Sequence, residues 1–257
     1  MNITHQTATM KEDKHMNTNK QTAIKESKVR ITESKLIRWA GLAALVAGII
    51  YTVIQPIHPP DVLASVTTSA WAIITPVKTA MAMLFLIGIT GIYARQVRET
   101  GWLGLVGFLL LIVSWMLNLS YIFAETFIIP LLTTTSPTLI DGFFGIVNGH
   151  PVDVNLGALP GVFGIVGITY MLGGLLFGIA TFRAGILPRW AAGLLAVTSA
   201  LTPLAALVPH EYQRLAGMPV GIALAWLGYA LWSQRQANIV ETSTDVGSPQ
   251  LRQSVAK

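Results

Sequence analysis

From Trp102 to Ala124 the chain carries no charged residue. At ~1.5 Å of rise per residue that stretch is long enough to cross the ~30 Å hydrocarbon core of a bilayer as one helix. Inside lipid every backbone N–H and C=O must be paired within the segment, so a helix is the conformation open to it. The rest of the chain is read around this span.

Composition agrees. Charged residues make up 11% of the chain, against ~25% in a soluble domain. Cysteine is absent, which excludes disulfides, thiolate metal ligation and a cysteine nucleophile. The net charge of +5 is not arranged for nucleic acid. The basic residues collect at one end of each apolar segment, with no basic stripe interleaved with aromatic residues. P-loop, dinucleotide and nucleophile-elbow patterns are also missing, because the Gly-rich run Gly161–Gly167 lies inside an apolar span.

The expected fold is all-α: a polytopic bundle of six transmembrane helices within residues 36–235. The spans fall at about Ile37–Ile57, Trp71–Tyr93, Trp102–Glu125, Leu159–Phe182, Trp190–Val208 and Leu215–Trp232. Residues 1–35 are polar, lack a signal-peptide core and read as a disordered tail, as do residues 236–257. Met10 and Met16 leave a later translation start open. Lys and Arg concentrate in the N-terminal tail, in loop 2–3 (Arg95, Arg98), in loop 4–5 (Arg183, Arg189) and in the C-terminal tail. The opposite face has only Arg214. Positive-inside bias therefore puts both termini in the cytoplasm.

Small residues let membrane helices approach closely. Gly174/Gly178 and Gly217/Gly221 offer such faces, either for internal packing or for a homo-oligomer or another membrane subunit. Between spans 3 and 4 lies the long outer loop. Ser136-Pro137 reads as a helix start, and Leu139, Ile140, Phe143, Phe144 and Val147 follow at helical spacing. A short amphipathic helix is expected there, lying on the outer membrane surface or over the mouth of the bundle.

Two outer sites are conceivable. Counting ~1.5 Å per residue from the inner-face aromatic of each span places Gln55, Lys78 and Asn118 at a common depth of ~22–24 Å. With His58 they outline an outward-facing polar pocket, since intramembrane ionisable residues usually face a cavity. Glu125 counts ~12 Å higher than Lys78, so pairing the two requires tilt and snorkelling. The alternative is a divalent metal site, zinc-like, built from His58, Asp61, His150, Asp153, His210 and Glu211. Neither helical HExxH nor CxxC spacing supports it. Turn formation by Pro and N-capping by Asp explain the same residues without a metal.

The runs Arg38–Gly48 with Gln55–Asp61, and Leu176–Trp190, resemble a group of uncharacterised bacterial six-span integral membrane proteins. The resemblance implies fold and location and brings no chemistry with it. Three functions remain open: a permease-like or ligand-sensing bundle with no cofactor, an outer-face metal-dependent lipid or headgroup enzyme, and a membrane assembly subunit without a small-molecule site.

Overall fold

The computed structural model describes residues 32–150 and 153–245, with the side chains of His210, Glu211 and residues 234–245 left out. The tail expected over residues 1–35 lies outside them up to residue 31. The described residues are all-helical, with no strand. In chain order the helices are α1 (Glu33–Ile57), α2 (Leu63–Val66), α3 (Ser69–Phe123), α4 (Ile129–Leu132), α5 (Pro137–Asn148), α6 (Leu159–Ala184), α7 (Arg189–Leu201), α8 (His210–Gln213) and α9 (Met218–Asp245). A π-helical turn, Ala124–Ile128, joins α3 to α4, and 3-10 turns at Thr202–Leu207 and Arg214–Gly217 flank α8. α9 runs through Arg235 to Asp245, where the sequence alone suggests the start of a tail.

Among the described residues five helical stretches are long and apolar enough to cross a membrane: Glu33–Ile57, Ser69–Leu132, Leu159–Ala184, Arg189–Leu207 and Arg214–Ser233. The second holds 64 residues and contains both segments expected as spans 2 and 3. Straight, it would be ~96 Å long, about three bilayer cores. It is not straight. Gln96 (φ −130°, ψ 18°) and Gly101 (φ 57°, ψ −154°) leave helical geometry, and the two halves of α3 fold back on each other. Tyr93 stacks on Phe108 with ring centroids 4.4 Å apart, and Phe85 meets Trp115 at 4.3 Å. Further along, the Thr79 hydroxyl bonds that of Thr126 at 3.1 Å. Each pair is centred close to Gly101, the signature of an antiparallel hairpin. A Cβ at Gly101 would meet nothing within 4 Å, so glycine is required there by its positive φ and not by space. Buried Gln96 ties the turn to α6 by donating from Nε2 to Thr181 Oγ1 at 2.7 Å.

Close approach through small residues organises the remaining contacts. A Cβ on Gly88 would fall 2.6 Å from Ala44 Cα, which seats α3 against α1. One on Gly178 would fall 2.6 Å from Ala196 N, which seats α6 against α7. α9 packs on both α1 and α7. The main core lies among these helices around Phe85, Ile89, Trp115, Phe177, Leu195 and Leu224.

A second, smaller core joins Trp71 and Val66 to Ile129, Ile140 and Phe144. It fixes α5: Ile140 and Phe144 are buried, and the Phe144 ring meets Trp71 edge-on at 5.5 Å. The apolar face of α5 is thus turned onto the protein. Ser136 precedes α5 as expected, but its side chain makes no cap bond. Its carbonyl accepts from Leu139 N and Ile140 N instead.

Candidate functional site

The second core and the end of the α3 hairpin remote from Gly101 enclose a cluster of ionisable groups. His58 follows α1 directly, because Pro59 and Pro60 cannot extend the helix. Lys78 projects from the first half of α3, and Glu125 sits in the π-turn that ends the second half. The Lys78 ammonium lies 2.7 Å from both Glu125 oxygens and 2.8 Å from His58 Nε2. Lysine has three donors, and all three are engaged.

The His58 tautomer follows from its other nitrogen. Nδ1 lies 2.6 Å from the Pro59 carbonyl oxygen, which can only accept. Nδ1 therefore carries the proton, and Nε2 is the acceptor for Lys78. The pKa of His58 is lowered from its ordinary value, first by burial and further by the charges of Lys78 and Arg214, with Glu125 opposing. The neutral ring matches the bonding. Glu125 is 1% exposed, and its Oε1 stands 3.4 Å from His58 Nε2. The indole N–H of Trp71 donates to the Glu125 carbonyl at 3.4 Å, bracing the π-turn. Nearby, Asp61 accepts from Arg214, and its backbone carbonyl accepts from Asn148 Nδ2 at 2.9 Å, which links α5 to the loop after α1.

Beside this cluster is a cavity of ≈ 220 Å³. Lys78, His58, Gln55, Asn118 and Arg214 contribute its polar wall, and Tyr51, Trp115, Tyr121 and Tyr170 its aromatic wall. Trp115 Nε1 and the Tyr121 hydroxyl are buried without a hydrogen-bond partner, whereas the Tyr170 hydroxyl pairs with that of Tyr51. Gln55 Nε2 and Asn118 Nδ2 each donate to a carbonyl one turn back, Tyr51 O and Ser114 O, at 3.2 Å.

The three residues placed at one depth, Gln55, Lys78 and Asn118, thus share one cavity with His58. Glu125 stands behind Lys78 and outside the cavity wall, joined by an ion pair that the depth count makes difficult. The count goes wrong at its origin. It levels Tyr93 with Trp102, whereas the hairpin levels Tyr93 with Phe108, a slip of six residues or ~9 Å. The Lys78 side chain spans what remains. Trp115, Tyr121, Tyr170 and Arg214 escape sequence reasoning. Tyrosine and tryptophan within a span, away from the interfaces where they normally anchor, were the available signal.

The residues weighed as metal ligands are only partly gathered. His58, Asp61 and Glu125 bring ligand atoms within 4.8 Å of one another, a group that does not include His150 or Asp153. Asp153 is exposed, and the side chains of His210 and Glu211 lie outside the described residues. The two carboxylates of the group already face Lys78 and Arg214, so a divalent ion would enter beside two cations. That donor set does not suit a metal. Gly174, Gly178, Gly217 and Gly221 are used internally, against Ser199, Ala196, Tyr51 and Gly48 respectively. No protein-family model, curated protein or solved structure matches the chain.

Proposed function

We propose that the chain is a bacterial plasma-membrane protein that crosses the bilayer six times, with both termini in the cytoplasm, and acts as a permease-like or ligand-sensing bundle. The α3 hairpin supplies two of the crossings, turning at the inner face between Arg95 and Gly101. Support for lipid contact comes from apolar side chains left bare, such as Ile73, Ile168 and Val197, each more than half exposed. Support for the orientation comes from the basic residues. Arg95, Arg98, Arg183 and Arg189 sit at helix ends away from the cavity, which places the cavity and α5 toward the outside.

The cavity bordered by His58, Lys78 and Arg214 carries the functional reading. Ionisable residues within a membrane bundle usually face a cavity and mark a ligand or ion path, and here three of them border one space that a small molecule fits. At ≈ 220 Å³ the space is smaller than the ~300–1,000 Å³ of drug-sized sites, so the ligand is small. The test is thermal unfolding of the purified chain in detergent against a panel of anionic, neutral and cationic fragments. At least one class is expected to stabilise the protein, and Gln55→Leu and Asn118→Leu to weaken that effect while the unliganded protein still unfolds cooperatively. Stabilisation by none, or stabilisation untouched by both variants, rejects the reading.

A further inference from the structure

The cavity wall is chemically one-sided. Both cations of the cluster, Lys78 and Arg214, line it, whereas their carboxylate partners Glu125 and Asp61 do not. The charged groups that face the space are therefore both cations. Tyr51, Trp115, Tyr121 and Tyr170 give the same space an aromatic side. Building on the ligand-binding role above, we infer that the cavity binds a small organic anion on an apolar body, and that one proton enters with it onto His58 Nε2.

The geometry specifies how. Lys78 spends two donors on Glu125 and the third on a neutral imidazole. Bonds between ionised partners are about twice as strong as those with a neutral one. The bond to His58 is therefore the one exchanged for an incoming anion, while the ion pair with Glu125 stays. Charge must also balance. Lys78 cancels Glu125 and Arg214 cancels Asp61, so an added anion leaves an uncompensated buried charge, which is strongly disfavoured.

His58 Nε2, released by Lys78, still faces Glu125 Oε1 at 3.4 Å and is the open place for a proton taken from solvent. Nδ1 already bears its hydrogen, bonded to Pro59 O. The groups that face this ring are Lys78 and Glu125 from the α3 hairpin, Asp61 from its own loop and Arg214 from the 3-10 turn before α9. Two favour the imidazolium and two oppose it. An anion in the cavity tips that balance.

The experiment is calorimetric titration of the full chain in detergent with benzenesulfonate and with its neutral isostere benzenesulfonamide. The sulfonate stays ionised throughout, so any proton taken up belongs to the protein. Benzenesulfonate is expected to bind at least ~10-fold more tightly than the sulfonamide, as one ion pair in a partly buried site implies. Its Kd is expected to fall nearly tenfold for each pH unit between about pH 8 and 7. Binding enthalpies in buffers of different ionisation heat should count one proton taken up. In His58→Gln the sulfonate should still bind, without the pH slope.

Equal binding of the two probes, or binding of other fragments but not the sulfonate, overturns the anion while leaving the cavity a ligand site. Uptake of no proton, or an unchanged slope in His58→Gln, overturns the place given to His58. Binding by no fragment of any class brings down this inference and the function beneath it together.

Discussion

At the scale of single residues the Lys78–Glu125 pair sets the stakes. Glu125 is 1% and the Lys78 side chain 16% exposed, so neither charge is easily returned to water. Removing one partner from such a pair typically costs ~3–5 kcal/mol, because the other is left charged and buried. Lys78→Met is expected to lose about that much in denaturant unfolding in detergent. Lys78→Met with Glu125→Gln should recover most of it, and a double variant as unstable as the single would show that the ion pair is not what holds Lys78. His58 makes a prediction in pH. Its folded pKa lies below the unfolded value, so its contribution to stability is intact above about pH 6.5. That contribution is lost as pH falls below this value toward the folded pKa, because the unfolded chain takes up the proton first. Wild-type stability should decline in that window, and the decline should flatten in His58→Gln. An identical pH profile for the two proteins would place the titration elsewhere.

Among the elements, the hydrophobic helices are legible in the amino-acid sequence because lipid leaves a helix as the one choice for an uncharged stretch such as Trp102–Ala124. How two of them join is not legible. Arg95, Arg98 and Glu99 read as an ordinary polar loop, yet the helix continues through them and turns on two residues' dihedrals. Only the positive φ of Gly101 marks the place, and a glycine in sequence does not announce its φ. That same hidden turn sets the register that brings Lys78 level with Glu125, so Gln55, His58, Lys78, Asn118 and Glu125 were legible as candidates and their pairing was not. Gly101→Ala should cost ~1 kcal/mol or more through backbone strain alone, since nothing crowds the added methyl. The glycines of α6 separate by environment. Gly178→Ala drives a methyl to within 2.6 Å of Ala196 N and should destabilise by ~1–3 kcal/mol through overpacking. Gly164→Ala meets nothing within 4 Å and should be neutral or gain up to ~1 kcal/mol of helix propensity. Thermal unfolding of the two variants side by side reads the difference, and equal effects would contradict the α6–α7 packing.

For the whole molecule, the arrangement of charge decides which side of the membrane the cavity faces. Arg95 and Arg98, at the turn of the α3 hairpin, and Arg183 and Arg189, at the ends of α6 and α7, lie away from the cavity, and among the described residues Arg214 is the arginine that lines it. Orientation follows the number of Lys and Arg on each side, and one arginine does not offset the other four. If that bias orients the chain, Arg95 lies in the cytoplasm and Asp153, beyond α5, lies outside. The absence of cysteine makes the test clean, because Arg95→Cys and Asp153→Cys each introduce the sole thiol. In intact cells a membrane-impermeant maleimide should label the residue-153 variant and spare the residue-95 variant, which should react only after the membrane is opened. Labelling of both in intact cells would break the six-crossing hairpin. Labelling of residue 95 alone would invert the protein, turning the cavity toward the cytoplasm and leaving its anion to be supplied from within the cell.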